Sequence, residues 1–229
     1  MPTSRSSRQP SRGPAEIPAW VLRFNETVDK VWLVVRVNLV WILLTGLGLV
    51  VLGIAPASVA AADALRASRE GARVKVLATM SGSWRRQFLG ANLRLLPLLV
   101  VQAGSAAMLW IVLGGAAPSS AATVVLAGLS VISAAWSTVS AAVLVAVPRL
   151  RRQDLLVSWR LALLLPGALP GRFICLLLGL IVWIVVCTAV WPLALLVGAG
   201  TAIEGACLLF GRRVEALLSE LEAARPSAP

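Results

Sequence analysis

The sequence has no histidine, no tyrosine and only three cysteines in 229 residues. Histidine is the commonest general base and the commonest nitrogen ligand of metals, and without tyrosine no phenol can act as an acid. Cys175, Cys187 and Cys207 lie in apolar segments without a CxxC spacing, so we expect small buried side chains of which at least one is unpaired. These absences indicate a protein that is not an enzyme, with no catalytic residue, metal site or cofactor.

Acidic residues are also scarce. The chain has ten aspartates and glutamates and 21 lysines and arginines, which gives a net charge of +11 and an isoelectric point near 11.6. Such a balance is typical of proteins that bind nucleic acid. The cations, however, do not form one soluble face. They lie between apolar runs, and this is where the cytoplasmic connections of membrane proteins carry their cations. We therefore expect a lipid bilayer, and no nucleic acid, as a partner.

Hydrophobic residues make up 59% of the chain, and the mean hydropathy is +0.87. Soluble domains are about half apolar, so the excess is expected to face lipid. The first apolar run has a helical length of about 36 Å, enough to cross a bilayer. Five such runs are present, at Val31–Ile54, Leu95–Gly114, Ala121–Val147, Phe173–Trp191 and Leu193–Phe210. They predict an all-α polytopic membrane helix bundle in residues 24–222, between disordered tails at 1–23 and 223–229.

The cations predict how these runs cross a bacterial plasma membrane. Two connections, 66–94 and 148–172, are rich in arginine, and the positive-inside bias predicts that both are cytoplasmic. Residues 115–120 carry no charge and are expected outside. Five spans then leave the cationic amino terminus outside, unless Thr45–Gly48 breaks the first run into a shallow hairpin that returns through 57–65. The sequence leaves these two topologies open.

A weak internal repeat precedes the second and fourth spans. The tripeptide Ser-Trp-Arg at 83–85 recurs at 158–160, each time between a basic connection and an apolar run. Apolar residues in 77–88 follow helical spacing opposite the cations, which predicts an amphipathic helix in the headgroup layer. The predicted interfacial anchors are Trp84, Arg85, Trp159 and Arg160. Docking of a partner by these residues is the alternative.

Two segments of small residues, 53–57 and 198–202, predict helix breaks at Pro56 and Gly200. Broken membrane helices expose backbone dipoles at depth and can form a substrate site. Small residues also let membrane helices pack closely, and packing is the favoured interpretation.

Four polar residues lie in or beside the apolar runs, namely Arg36, Asn38, Asp63 and Glu204. A charge near mid-bilayer costs about 2.5–3.5 kcal/mol unless it is paired or hydrated. We therefore predict an ion pair of Arg36 with Glu204 or with Asp63. A polar intramembrane site lined by the four residues is the functional alternative.

Three segments of the chain carry a family resemblance. Asn38-Leu39-Val40-Trp41 follows an N-L-x-W pattern, residues 53–61 follow a G-P-A-x-x-A-L type of turn with alanine where glycine is usual before the proline, and 84–88 with Asn92 form an aromatic and basic stretch. Together they resemble the YesL-like family of bacterial integral membrane proteins, known as domain of unknown function 624, over about residues 24–218. The resemblance implies about five helices, no assigned activity, no known catalytic residues, and genes that often lie near carbohydrate ABC transporters.

The leading functional hypothesis is an accessory or regulatory component of carbohydrate ABC-type uptake, which docks on permease subunits through its basic connections and interfacial tryptophans. Anionic lipid at the same connections is a further expected partner. The alternative is a small transporter or channel with a polar intramembrane site at broken helices. An enzyme acting on lipid-linked substrates is disfavoured, because histidines and clustered carboxylates are missing.

Overall fold

The described part of the chain is built of helices. The structure, a computed structural model, describes residues 19–114 and 120–223, and these residues contain no β-strand. The helices are α1 (Ala19–Leu47), α2 (Val51–Arg69), α3 (Val76–Leu113), α4 (Ala121–Ala146), α5 (Pro148–Arg151), α6 (Leu155–Ala168), α7 (Pro170–Ala189), α8 (Trp191–Ala206) and α9 (Arg212–Ala223). A π-helical turn, Cys207–Gly211, joins α8 to α9. The predicted all-α class is confirmed.

Two compact units make up the chain. The first is Met1–Leu33, of which the described residues form the amino-terminal half of α1. The second is Val34–Pro229, and it holds the remaining helices. Helix α1 begins at Ala19 and α9 ends at Ala223, so both helices extend into segments that were expected to be tails. The other residues of those predicted tails lie outside the described residues.

Five helices in the described part of the chain are long and apolar enough to cross a membrane, which confirms the predicted number of spans. They cover Arg23–Leu47, Val76–Leu113, Ala121–Ala146, Pro170–Ala189 and Trp191–Glu220. Large apolar side chains on these helices are extensively exposed, as the 81% exposure of Trp110 and the 84% exposure of Leu113 illustrate. Contiguous exposed apolar surface of this kind is stable where lipid covers it. The chain is therefore a multi-pass membrane protein.

The first span ends earlier than predicted, because the backbone turns sharply at residues 48–50. Leu49 and Val50 have φ angles of 58° and 63°, a left-handed conformation that interrupts the helical ladder. The predicted run to Ile54 is therefore wrong at its carboxyl end, and its last residues begin α2 instead. The hairpin alternative predicted a break at Thr45–Gly48, directly beside the observed one.

The helix break predicted at Pro56 is wrong, since Pro56 is buried inside α2 and the helix continues through it. Proline has no N–H, so the carbonyl of Leu52, four residues earlier, loses its helical donor. Asn92 of α3 supplies a replacement, because its Nδ2 donates to the Leu52 oxygen at 3.0 Å. The asparagine amide thus repairs the defect made by the proline and joins α2 to α3.

The second span is the apolar end of a longer helix. Helix α3 has 38 residues and begins at Val76, well before the apolar run. The predicted amphipathic segment at 77–88 forms its first turns, because no proline interrupts residues 76–96. The connection 66–94 is accordingly helical at both ends, and 148–172 contains α5 and α6. Both cationic connections are therefore structured parts of the bundle and not loops.

Candidate functional site

A polar cluster lies where α2, α3 and α5 meet. Asp63 Oδ2 accepts hydrogen bonds from Ser83 Oγ and Gln87 Nε2, both at 2.8 Å. The other oxygen, Oδ1, accepts from Arg151 Nη2 at 2.5 Å. The Arg151 side chain is only 8% exposed, so this ion pair is largely removed from solvent. Asp63 is therefore the counter-ion of a buried guanidinium.

Arg66 forms two ion pairs, one of which joins α2 to α9. Arg66 Nη1 donates to Glu215 Oε1 at 2.6 Å, and Arg66 Nε donates to Glu70 Oε1 at 2.9 Å. The hydrogen bond with Glu215 raises the pKa of Arg66 above its ordinary value, although partial burial acts in the opposite direction. Arg66 therefore stays charged at physiological pH and links the carboxyl-terminal helix to α2.

The ion pairs predicted for Arg36 are wrong. Glu204 pairs instead with Arg69, whose Nη1 lies 3.0 Å from Oε1, and Asp63 pairs with Arg151. Both arginines are the last residues of their helices, where a cation also complements the negative end of the helix dipole. Arg36 lies inside α1, is exposed, and has no ion-pair partner in the described part of the chain. The predicted polar residues therefore do not form one ion-paired group.

Asn38 inserts its side chain into the backbone ladder of α8. Its Nδ2 donates to the Leu195 carbonyl at 2.7 Å, and its Oδ1 accepts from the amides of Ala199 and Gly200 at 2.9 and 3.0 Å. The break predicted at Gly200 is wrong, because α8 continues through it. A Cβ at Gly200 would lie 3.0 Å from Val34 Cγ1 and 3.2 Å from the Val34 oxygen. The glycine thus permits close approach of α1 and α8, as the packing interpretation predicts.

The two cationic connections meet in one basic cleft. The basic cleft has a volume of about 890 Å³, and arginines and carboxylates from several helices line it. Its charged residues are Asp63, Arg66, Glu70, Arg86, Arg149, Arg151, Arg152 and Glu215. Five positive and three negative side chains favour an anionic partner. Of these residues, the sequence predicted only Asp63 as a site residue. Most of the others belong to the two cationic connections, and the prediction that both connections lie on the same side of the membrane was the indication that they could meet.

The two Ser-Trp-Arg tripeptides, 83–85 and 158–160, have matching environments. In each the serine is buried, the tryptophan is half-buried and the arginine is exposed. The serine hydroxyls donate inside the protein, one to Asp63 at 2.8 Å and the other to the Leu150 carbonyl at 2.6 Å. This correspondence supports an internal repeat, in which only the arginines are fully available at the surface.

Replacement by phenylalanine is expected to affect the two tryptophans differently. Trp159 Nε1 donates to the Arg94 carbonyl at 2.9 Å, whereas Trp84 Nε1 is buried without an acceptor among the described residues. We expect Trp159→Phe to lower the free energy of unfolding by about 1 kcal/mol, and Trp84→Phe to leave it unchanged or raise it, because a buried donor without an acceptor is unfavourable. Denaturant titration in detergent micelles, followed by circular dichroism, measures both. An equal decrease in the free energy of unfolding in the two variants would contradict this assignment of hydrogen bonds.

All three cysteines are free, but the expectation of burial is correct only for Cys207. Cys175 is exposed and Cys187 is half-buried, because α7 leaves nearly all of its surface open. Among residues 19–114 and 120–223, no three histidine, cysteine or acidic side chains are grouped as metal ligands are.

Comparison with known proteins identifies one family match. Residues 34–103 match the model of a family described as protein of unknown function, DUF624. No curated protein and no solved structure matches the chain. The matched range is narrower than the 24–218 expected, but it contains all three segments that carry the resemblance, namely 38–41, 53–61 and 84–88 with Asn92. Over residues 34–103 the chain is thus similar to DUF624 proteins, and the predicted family resemblance is confirmed.

Proposed function

We propose that the protein is an accessory, non-conducting component of a bacterial plasma-membrane complex, which docks on permease subunits of a carbohydrate ABC-type importer. The supporting observation is that each of the connections 66–94 and 148–172 presents an exposed arginine beside a half-buried tryptophan, at Trp84-Arg85 and at Trp159-Arg160. Cation-rich connections of membrane proteins reside in the cytoplasm, so the proposal places these residues there. The YesL-like resemblance supports the partner class, because genes of that family often lie near carbohydrate ABC transporters.

The proposed docking surface consists of Arg85 and Arg160 with their neighbouring tryptophans, Trp84 and Trp159. Both arginines are exposed, and neither has an ion-pair partner in the part of the chain that the structure describes. The tryptophans are half-buried, so each charge is presented beside an aromatic surface held by the bundle. Arginine and tryptophan are the residue types that contribute most at protein interfaces.

A conducting role has less support from the geometry. In a transporter Arg36 or Glu204 would contact the solute, but Glu204 is bound to Arg69, as Asp63 is to Arg151. The amide of Asn38 is bonded to the backbone of α8 through both of its ends. Three of the four predicted polar residues are thus occupied by the protein itself, which favours a structural role for them, and Arg36 is exposed on α1.

Removal of charge from the docking surface is expected to release the partner. In R85Q/R160Q we expect the amount of permease recovered with the tagged protein from native membranes in mild detergent to fall about tenfold or more, because truncation of a central interface arginine costs about 2 kcal/mol or more. Quantitative mass spectrometry of the eluate, scaled to the tagged protein, measures the change.

The matched control is R86Q/R152Q. Like R85Q/R160Q, it removes one positive charge from α3 and one from the connection 148–172. The side chains that it changes, however, line the basic cleft. Recovery of the permease is expected to stay within about twofold of the unchanged protein, as for surface substitutions outside an interface. Absence of permease subunits from every eluate, or equal losses in both double variants, would contradict the proposed docking.

A further inference from the structure

The buried guanidinium of Arg151 has more donors than the protein uses. Its Nη2 is bonded to Asp63, but its Nε and Nη1 are buried and have no acceptor within the described residues. The Arg151 side chain lines both the basic cleft and an adjoining smaller cleft of about 210 Å³. Buried N–H groups of charged side chains normally bond to an acceptor, so these donors suit an anionic oxygen.

Two further arginines are available beside Arg151. Arg86 lines both clefts, and Arg152 lines the basic cleft. Both are exposed, and neither has an ion pair in the described part of the chain. Guanidinium groups bind phosphate oxygens in a bidentate manner, so three of them around one space match a phosphate group.

An apolar groove lies farther along the same face of α3. Arg86, Gly90 and Arg94 line the smaller cleft, and Pro97 and Val101 line the groove. Steps of three and four residues keep these positions on one helix face, and a rise of 1.5 Å per residue puts the groove about 15–25 Å from Arg86. The groove has a volume of about 430 Å³. Its lining from α3, α4 and α6 includes Leu98, Ile132, Trp136, Trp159 and Leu163.

We propose that the clefts and the groove together bind one molecule of an anionic phospholipid. The phosphate lies between Arg86, Arg151 and Arg152, and one acyl chain lies in the groove between α3, α4 and α6. The surplus of arginines selects an anionic over a zwitterionic headgroup. The occurrence of a basic cleft and an apolar groove on one face of α3 favours a lipid over a soluble phosphate compound. The arginines of this site differ from Arg85 and Arg160 of the proposed docking surface, and Trp159 is the one residue that both proposals use.

Lipid titration followed by native mass spectrometry tests the site. The full-length protein, freed of lipid in detergent, is titrated with phosphatidylglycerol, with phosphatidylcholine of the same chain length, and with glycerol 1-phosphate. We expect one phosphatidylglycerol to bind about tenfold or more tightly than phosphatidylcholine, because arginines near the membrane surface attract anionic headgroups. Glycerol 1-phosphate is expected to bind far more weakly than phosphatidylglycerol. Equal affinity for the two lipids, or for phosphatidylglycerol and glycerol 1-phosphate, would overturn the proposal.

Two double variants test where the phosphate group of the lipid binds. R86Q/R152Q is expected to lower the affinity for phosphatidylglycerol about 25-fold, since each arginine near an anionic headgroup contributes about fivefold. R85Q/R160Q removes the same charge from exposed positions outside both clefts, and a small change is expected there. All four side chains are exposed, so the variants do not disturb the core. Equal effects of the two double variants would overturn the site.

A bulky side chain in the groove locates the acyl chain. Ile132 lines the groove and is exposed, so Ile132→Trp is expected to lower the affinity for phosphatidylglycerol about fivefold or more by filling space that the chain occupies. Val131 is the exposed neighbour outside the groove, and Val131→Trp is expected to have no effect. An affinity that is unchanged in Ile132→Trp would exclude the groove as the place of the acyl chain and overturn the proposed site.

Discussion

Replacement of Asp63 by leucine is expected to lower the free energy of unfolding by about 3–5 kcal/mol, because the buried guanidinium of Arg151 then loses its counter-ion. The same change removes the acceptor that Ser83 and Gln87 share. The Arg151 side chain is 8% exposed, so hydration from the clefts that it lines recovers only part of the loss. Denaturant titration in detergent micelles, followed by circular dichroism, measures the shift.

A double-mutant cycle separates this ion pair from the general effect of the substitution. Asp63→Leu combined with Arg151→Met removes both charges, and we expect the combined loss to be about 1–3 kcal/mol smaller than the sum of the single losses. Asp154→Leu is the control, because Asp154 is exposed and its side chain caps no helix. If Asp154→Leu destabilises the protein as much as Asp63→Leu does, the buried pair is not the cause.

The membrane helices can be predicted from the sequence, because lipid imposes a length and an apolar composition on each span separately. The third span illustrates this, since the apolar run and helix α4 both begin at Ala121. The end of the first span depends on the left-handed backbone of Leu49 and Val50, which are residues with no local preference for that conformation. Helix α3 begins at Val76, before the apolar run, and the helical spacing of apolar residues in 77–88 indicates these first turns where hydropathy alone does not.

The partners of the polar residues depend on how helices pack, and a single sequence does not contain that information. Of the four polar residues expected to need partners, Asn38, Asp63 and Glu204 have them, whereas Arg36 has no ion pair in the described part of the chain. Arg151, however, lies 88 residues from Asp63, and Leu195 lies 157 residues from Asn38. A buried side-chain amide can form its hydrogen bonds with backbone carbonyls and N–H groups as well as with side chains. Every residue offers such backbone groups, so sequence patterns do not show which of them is the partner.

Gly53→Ala is expected to lower the free energy of unfolding by about 3 kcal/mol, because the added methyl group overpacks the turn between α1 and α2. A Cβ at Gly53 would lie 2.3 Å from the Thr45 carbonyl oxygen and 2.7 Å from the Thr45 Cα. Both are backbone atoms, so no side-chain rotation relieves the contact. The turn has to open, which also strains the hydrogen bond of 3.1 Å from Trp41 Nε1 to Ser58 Oγ across it.

The matched control for this change is Gly104→Ala in α3. A Cβ at Gly104 meets nothing within 4 Å, so alanine is expected to raise the free energy of unfolding by up to about 1 kcal/mol through its higher helix propensity. The same substitution at two helical glycines then has opposite signs, measured by denaturant titration of both variants in one detergent. Losses of equal size would contradict the close approach of Gly53 to Thr45. Opposite signs would support the close approach of Gly53 to the Thr45 backbone in the turn between α1 and α2.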